Sequence, residues 1–296
     1  MGLCEIEFVV VDVFASRPLT GNPLTLVSEG DGLDEGQMRA IAREFNQSET
    51  TFVLPATRRG ARWRLRSFTP AGVEVAGAGH NALGAWLAHA GRVSAGRFVQ
   101  QIGQEMLPVE IIADVGEPMR VAMDQSPPVF GTVIDTSAPL AAALGIQERD
   151  LDASQPSQVV STGAAHLLVA VRDRAVVDRV DVDPRALLAV LGPGGAEGCY
   201  VYTTAAPMGS RDDGAHAYAP FFNPTVGITE DPATGTAAGP LAAALVRAGR
   251  ILDGSTVHVE QGHAIGRPSR LQVEVRGDLV QLSGSGVVAG HGWLNV

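Results

Sequence analysis

Two stretches far apart in the chain repeat one local grammar, and a repeat of that kind restricts the fold to architectures built from two similar halves. The first reads Phe68-Thr69-Pro70, then Gly77-Ala78-Gly79-His80-Asn81-Ala82-Leu83-Gly84-Ala85-Trp86-Leu87, and closes at Gly91-Arg92. The second reads Phe222-Asn223-Pro224, then Glu230-Asp231-Pro232-Ala233-Thr234-Gly235-Thr236-Ala237-Ala238-Gly239-Pro240-Leu241, and closes at Gly249-Arg250. In each, an aromatic and a proline precede a glycine-marked turn, an Ala/Leu-rich helix follows, and Gly-Arg stands where a helix C-cap is expected. Almost nothing in 82–90 or 237–248 is charged, and a helix apolar on every side must be buried. The useful end of such a helix is its start, where backbone N–H groups and the positive end of the dipole receive a carboxylate or a developing oxyanion. Glycines at 79 and 235 allow close approach of a ligand to the backbone. The same glycines also suit tight turns before core helices, so the weight rests on the repetition and on the ionisable residues, His80 and Asp231, at the two turns.

The periodicity between these landmarks predicts short elements. Strands are expected from Glu5 to Asp12 and over 48–54, and a helix capped by Asp34 carries Met38, Ile41, Ala42 and Phe45 on one face. Trp63, Leu65 and Ser67 alternate with Arg62, Arg64 and Arg66 as a strand with a basic outer face. More strands fit 97–102, 107–113, 119–124, 165–171, 199–204 and 216–222, with a helix over 184–191 and a crossing between halves at Pro127-Pro128. Many strands around one apolar helix per half predict an α+β fold of two similar lobes, each a curled sheet around its helix, rather than a doubly wound parallel sheet. Gly77-x-Gly79 has no third glycine at 82, so a dinucleotide fingerprint is not supported.

Composition removes several function classes. The 296 residues, 45% hydrophobic, suffice for one large domain or two ordinary ones, and a net charge of −10 argues against a grip on nucleic acid or an anionic membrane surface. A small-molecule substrate is expected instead. All 22 basic residues are arginine, so neither a Schiff-base lysine for pyridoxal phosphate nor a P-loop lysine is available. Cys4 and Cys199 form no metal or redox spacing and read as packing residues. The first eleven residues carry no basic, apolar leader and no 18-residue apolar run follows, which predicts a cytoplasmic protein.

Three residues can carry chemistry. Glu49 stands in the β-favouring run Asn46-Gln47-Ser48-Glu49-Thr50-Thr51-Phe52-Val53; it is either a solvent-facing strand residue or a general base raised in pKa by apolar neighbours. His80 is either a locally bonded helix-start residue or catalytic. Asp231 either caps the following helix, with Pro232 in its first turn, or acts on a ligand.

Gly21-Asn22-Pro23, Ser48-Glu49-Thr50-Thr51-Phe52-Val53, Phe68-Thr69-Pro70, Ala78-Gly79-His80 and Glu230-Asp231-Pro232-Ala233-Thr234-Gly235-Thr236 together resemble the PhzF-like phenazine-biosynthesis isomerase family, in order through nearly the whole chain. The resemblance implies the diaminopimelate-epimerase fold, with a first lobe of 1–127 joined by 283–296, a second lobe of 128–282, and the site in the cleft between. It also implies a homodimer without cofactor or metal, and isomerisation like that of trans-2,3-dihydro-3-hydroxyanthranilate, in which a glutamate moves a proton between ring carbons. Glu49 would be that acid/base, with His80 and Asp231 orienting the substrate. Ser48 would meet its amino group, and backbone N–H groups at Gly79, Gly235 and Thr236 its carboxylate. Asn81 stands where many relatives have proline, and Thr236 where serine is common. Relatives serve phenazine pathways and routes to alkylproline antibiotic building blocks.

Epimerases and racemases of the same fold use two thiols, one at each helix start, and neither start here has a cysteine. A single carboxylate fits a double-bond shift better than inversion. The rival readings are a racemase-like enzyme, a metal-assisted hydrolase using Glu49, His80 and Asp231, and a non-catalytic small-molecule binder. A serine hydrolase is weaker, for want of a Gly-x-Ser-x-Gly elbow.

Overall fold

A computed structural model describes residues 5–75, 77–204 and 214–296. Cys4 and its expected packing role lie outside the described residues. Contacts divide the chain into two units: Met1–Asp124 with Ser283–Val296, and Gln125–Leu282.

The first unit contains β1 (Glu5–Val13), β2 (Asn22–Val27), α1 (Glu35–Phe45), β3 (Thr50–Leu54), β4 (Arg64–Phe68), β5 (Glu74–Val75), α2 (His80–Ala88), β6 (Gly96–Ile102), β7 (Glu105–Ile112), β8 (Arg120–Gln125) and a C-terminal strand, Gly286–Asn295. Its strands run in the order β8-β7-β6-β4-β3-β2-β1-C-terminal strand, with β5 beside β4. The pairs β2/β3 and β4/β6 are parallel and the others antiparallel. A parallel pair needs a crossover, and α1 and α2 supply the two. The C-terminal strand pairs with β1 from Glu5↔Asn295 to Val13↔Gly286.

Asp34 caps α1 as expected: its carboxylate accepts from the Gln37 N–H while the Gln37 side chain accepts from the Asp34 N–H, a closed capping box. Met38, Ile41 and Ala42, with Phe45 beside them, pack on Phe52, Leu54 and Phe68 of the sheet. Helix α2 is buried at every residue from His80 to Leu87 and lies against β1, β2, β3 and the C-terminal strand. Gly84 sets that approach, because a Cβ there would run into Leu24 and Val13.

The two Gly-Arg ends behave differently. Helix α2 stops at Ala88 with His89 as its cap, Ala90–Arg92 is a separate 3-10 turn, and Gly91 is not left-handed, which corrects the expected glycine cap. At the second end the expectation holds. Gly249 takes φ +67°, its N–H donates to the Val246 carbonyl and the Arg250 N–H to the Leu245 carbonyl, both at 2.9 Å, the paired bonds of a Schellman motif.

The second unit contains β9 (Val129–Val133), α3 (Ser137–Ala143), β10 (Gln158–Ser161), β11 (Ala165–Ala170), α4 (Arg174–Val177), α5 (Pro184–Leu191), β12 (Gly198–Tyr202), β13 (Ala217–Tyr218), β14 (Phe221–Asn223), β15 (Ile228–Asp231), α6 (Gly235–Arg247), β16 (Thr256–Gln261), β17 (Ser269–Arg276) and β18 (Leu279–Gly284). Strands β15-β14-β12-β11-β10-β9 form one sheet, and β13-β16-β17-β18 run side by side in another. Leu140 and Leu144 from the α3 region and Leu187 and Leu191 from α5 pack with Leu167, Cys199 and Val201 of the six-stranded sheet. Helix α6 packs on β10 and β11 of that sheet and on β17 of the other, so strands cover it on two sides. Gly239 lets it approach Gln125, whose side chain a Cβ would meet. The single strand expected over 216–222 is two, β13 and β14, in different sheets; Pro220 has no N–H to continue a ladder, and the chain changes sheet there.

The architecture is the expected α+β arrangement with mixed sheets and one apolar helix central to each unit. Among the described residues, no helix is long and apolar enough to cross a membrane.

Candidate active site

The strand expected over 48–54 begins only at Thr50, so Ser48 and Glu49 lie in the link that feeds it. Both ends of that link are fixed. Asn46 closes α1 in the left-handed conformation, with φ 48° and its N–H on the Ala42 carbonyl. Gln47 accepts a 2.9 Å hydrogen bond from the Thr25 hydroxyl, and Thr25 pairs with Thr50 across β2 and β3. Glu49 is thereby held over the start of α2, with its Oε2 3.5 Å from His80 Nδ1. A charge-assisted hydrogen bond is shorter, roughly 2.7–2.9 Å, so the two groups are adjacent without being locked together. Glu49 Oε2 is buried and has no hydrogen-bond partner among the described residues, yet 18% of the side chain remains exposed. Burial pushes this carboxyl from 4.5 up to about 7. A carboxyl that gains and loses its proton near neutrality, and that a small molecule can reach, has the properties of a general acid/base.

The turn before α2 is organised by Asn81. Its Oδ1 accepts from the Gly79 N–H at 2.7 Å, and its amide donates to the Gly77 carbonyl and the Ser67 hydroxyl, both at 3.1 Å. Ser67 is bonded in turn to Thr51 Oγ1 at 2.9 Å, which ties the turn to β3 and β4. The Gly79 N–H, expected to receive a substrate oxygen, is thus engaged within the chain. What Gly79 offers is space, because a Cβ there would meet only Asn81 Oδ1 at 3.5 Å. Glu49 and His80 meet where the α1–β3 link passes the start of α2, with Ser48 and Gly79 as their chain neighbours.

Asp231, Gly235 and Thr236 come together in the second unit, where Asp231 ends β15 and Thr234 is the N-cap of α6. Asp231 is not the helix cap and Pro232 precedes the first turn, against one of the readings above. Instead the Thr234 hydroxyl donates a short hydrogen bond to Asp231 Oδ2. Gln261, fully buried on β16, grips both: its amide nitrogen donates to the Asp231 carbonyl (2.7 Å) and to Thr234 Oγ1 (3.0 Å), while its oxygen accepts from the Thr234 N–H (3.2 Å) and the Tyr200 hydroxyl (2.9 Å). The Gly235 carbonyl accepts from Gln125 at 2.9 Å, and a Cβ on Gly235 would overlap Leu282, so packing as well as ligand access demands glycine there. Thr236 is half-buried, and His166 Nε2 lies 3.2 Å from its hydroxyl.

Gln261 and His166 escaped the sequence reading because each is an isolated polar residue on a strand, and only the fold brings it to the turn. Glu230, next to Asp231, faces away from it as strand alternation requires. It lines a small cavity with Asp178, Tyr218 and His263, and its carboxyl is raised to about 6 by burial and then by the charge of Asp231.

Cys199 is packed in the core under α5, and burial pushes its thiol far above the ordinary range. Among the described residues, no three His, Cys, Asp or Glu side chains cluster as metal ligands.

The model of the phenazine biosynthesis-like protein family (PhzC-PhzF) matches residues 11–292. The chain is 35% identical over 291 residues to the trans-2,3-dihydro-3-hydroxyanthranilate isomerase of Pseudomonas chlororaphis, covering 97% of this chain and 98% of that one. Among solved structures, a Bacillus anthracis phenazine biosynthesis protein of the PhzF family superposes with a TM-score of 0.90 at 27% identity, covering 99% of this chain and 100% of that one. A hydroxyproline epimerase from Agrobacterium vitis shares the fold at a TM-score of 0.65 and 13% identity, covering 100% and 92%.

Proposed function

The chain belongs to the phenazine biosynthesis-like (PhzC-PhzF) family, and from that premise we propose that it is a cofactor-independent isomerase acting on a small unsaturated amino or hydroxy acid of the dihydro-hydroxyanthranilate type. The observation that carries this reading is the Glu49 carboxyl: poised near neutrality, 3.5 Å from His80, and with its Oε2 buried and without a hydrogen-bond partner among the described residues. Ionised Glu49 takes a proton from one ring carbon as the C–H electron pair enters the π system. The double bond shifts, and the same carboxyl returns its proton to a second carbon. Nothing is oxidised or reduced.

His80 sits against the carboxyl that moves the proton, and we assign it to orienting the substrate there. Ser48, beside Glu49, is assigned the substrate's amino group. In the second unit Asp231 is assigned to substrate orientation, and Gly235 with Thr236 to the carboxylate, where the dipole of α6 favours an anion. Space beside Gly79 admits the ligand to the backbone. A homodimer in the cytoplasm completes the proposal; light scattering of the purified protein tests the dimer.

The test is turnover of trans-2,3-dihydro-3-hydroxyanthranilate in D2O, followed by NMR. Isomer should form, and Glu49→Gln should lower turnover by about 10³-fold or more while 3-hydroxyanthranilate binds within about threefold of wild type. A Glu49→Gln protein that still isomerises would sink the assignment.

A further inference from the structure

His166 lies on β11 and is 2% exposed, yet among the described residues its imidazole has one hydrogen-bond partner, the hydroxyl of Thr236 at 3.2 Å from Nε2. Its other ring nitrogen, Nδ1, is buried with no hydrogen-bond partner among the described residues. The edge of the ring meets Phe221, with centroids 4.9 Å apart and planes at 82°, so the imidazole cannot turn freely. Phe221 is itself wedged between Tyr200, at 6.0 Å, and Gly198, where a Cβ would overlap its ring.

Two neutral tautomers are conceivable, and they have opposite consequences. With the proton on Nδ1, a buried N–H would have no acceptor, one of the costlier defects in a protein interior. With the proton on Nε2, the N–H donates to Thr236 Oγ1 and only an acceptor lone pair is left over. Burial lowers this imidazole to about 4, so it is uncharged at neutral pH. An Oγ1 that accepts from His166 points its own hydrogen elsewhere. Thr236 is half-buried in the first turn of α6, where the helix start already favours an anion.

Resting on the isomerase reading above, we propose that His166 is a positioning residue: by donating from Nε2 to Thr236 Oγ1 it makes the Thr236 hydroxyl a one-way donor, aimed at a carboxylate oxygen of the substrate. The pair selects a ligand that is an acceptor at this point over one that offers a donor, such as the corresponding carboxamide turned N–H inward.

The tautomer is read directly by ¹⁵N NMR of the ligand-free protein labelled at histidine. His166 should be neutral at pH 7 with its proton on Nε2; an Nδ1–H tautomer overturns the inference whatever the enzyme's substrate. In turnover, His166→Phe should raise KM roughly 3- to 10-fold with kcat and the pH profile set by Glu49 unmoved, whereas His166→Gln, whose amide reaches the same point, should restore KM. Thr236→Val should weaken 3-hydroxyanthranilate binding by about 10- to 100-fold, and adding His166→Phe to it should cost nothing further. A fall in kcat with KM unchanged in His166→Phe, or a double variant that loses affinity additively, overturns the inference while leaving Glu49's role intact. Conversely, a wild-type protein that binds 3-hydroxyanthranilate through this pair yet performs no isomerisation defeats the isomerase reading alone.

Discussion

The two turn-and-helix segments share a sequence grammar and differ in how each is held. The first is pinned from inside its own helix, by Asn81 reaching back to Gly77 and Gly79, and beside it Glu49 Oε2 has no hydrogen-bond partner among the described residues. The second is gripped from a separate strand by Gln261, which bonds Asp231, Thr234 and Tyr200 while Thr234 also bonds Asp231. One copy keeps an ionisable group poorly solvated, and in the other the acid's Oδ2 takes the Thr234 hydroxyl while Gln261 holds its backbone carbonyl. A repeated backbone framework therefore does not repeat its electrostatics: the poised proton is in the first copy and the firm polar scaffold in the second.

The largest effect should come from Glu49→Gln. Besides its loss of turnover, it should change stability with a characteristic sign. In wild type the unfolded carboxyl ionises near 4.5 and the folded one near 7, so between those values the folded state holds the extra proton and stability falls as pH rises. Glutamine removes that penalty, and the variant should be more stable than wild type by roughly 3 kcal/mol at pH 8, with little difference at pH 4.5. Chemical denaturation at the two pH values measures it; a variant less stable at pH 8 would show that Glu49 is well solvated after all. The same protonation should shape catalysis, with kcat/KM rising through about pH 7 as the base form appears.

Gln261→Ala probes the second copy and should cost about 2–4 kcal/mol, because it strands several buried donors and acceptors at once. Urea unfolding reads it, and no pH dependence like that of Glu49→Gln should accompany it. Asn81→Ala should cost less, about 1–2 kcal/mol, and lower kcat more than it raises KM, since the turn that presents His80 loosens. Loss of stability equal to that of Gln261→Ala would remove the contrast between the two anchors.

The smallest effects come from the two Gly-Arg ends. Gly249→Ala forces a left-handed residue at φ +67° and should cost about 1 kcal/mol. Gly91→Ala meets neither positive φ nor a neighbour within 4 Å and should be neutral or stabilising by about 0.4–1 kcal/mol.

Much of this was legible in residue order. Asp34 and Gln37 announce α1, the alternation of Arg64 and Arg66 with Leu65 and Ser67 gives β4, and the all-apolar helices are the buried ones. Helix starts were less legible: Asp231-Pro232 has the local chemistry of a cap, but the Asp231 carboxylate takes the Thr234 hydroxyl, its carbonyl takes the Gln261 amide, and the helix begins at Gly235. Local propensity could not foresee the Gln261 contact, since Gln261 is thirty residues away. His166 was invisible for the same reason, being an ordinary strand residue until α6 is laid against β11.

The pairing of the Gly286–Asn295 strand with β1 has a consequence for how the chain is made. The second unit is contiguous in sequence, whereas β1 must wait for a partner about 280 residues downstream, roughly 15–60 s at ordinary synthesis rates. Until then β1 has one unpaired edge, open to pairing with another chain. The unit that emerges first is the last to be finished, so a nascent chain stalled before Gly286 would carry the carboxyl-bearing turn in a lobe it cannot yet close.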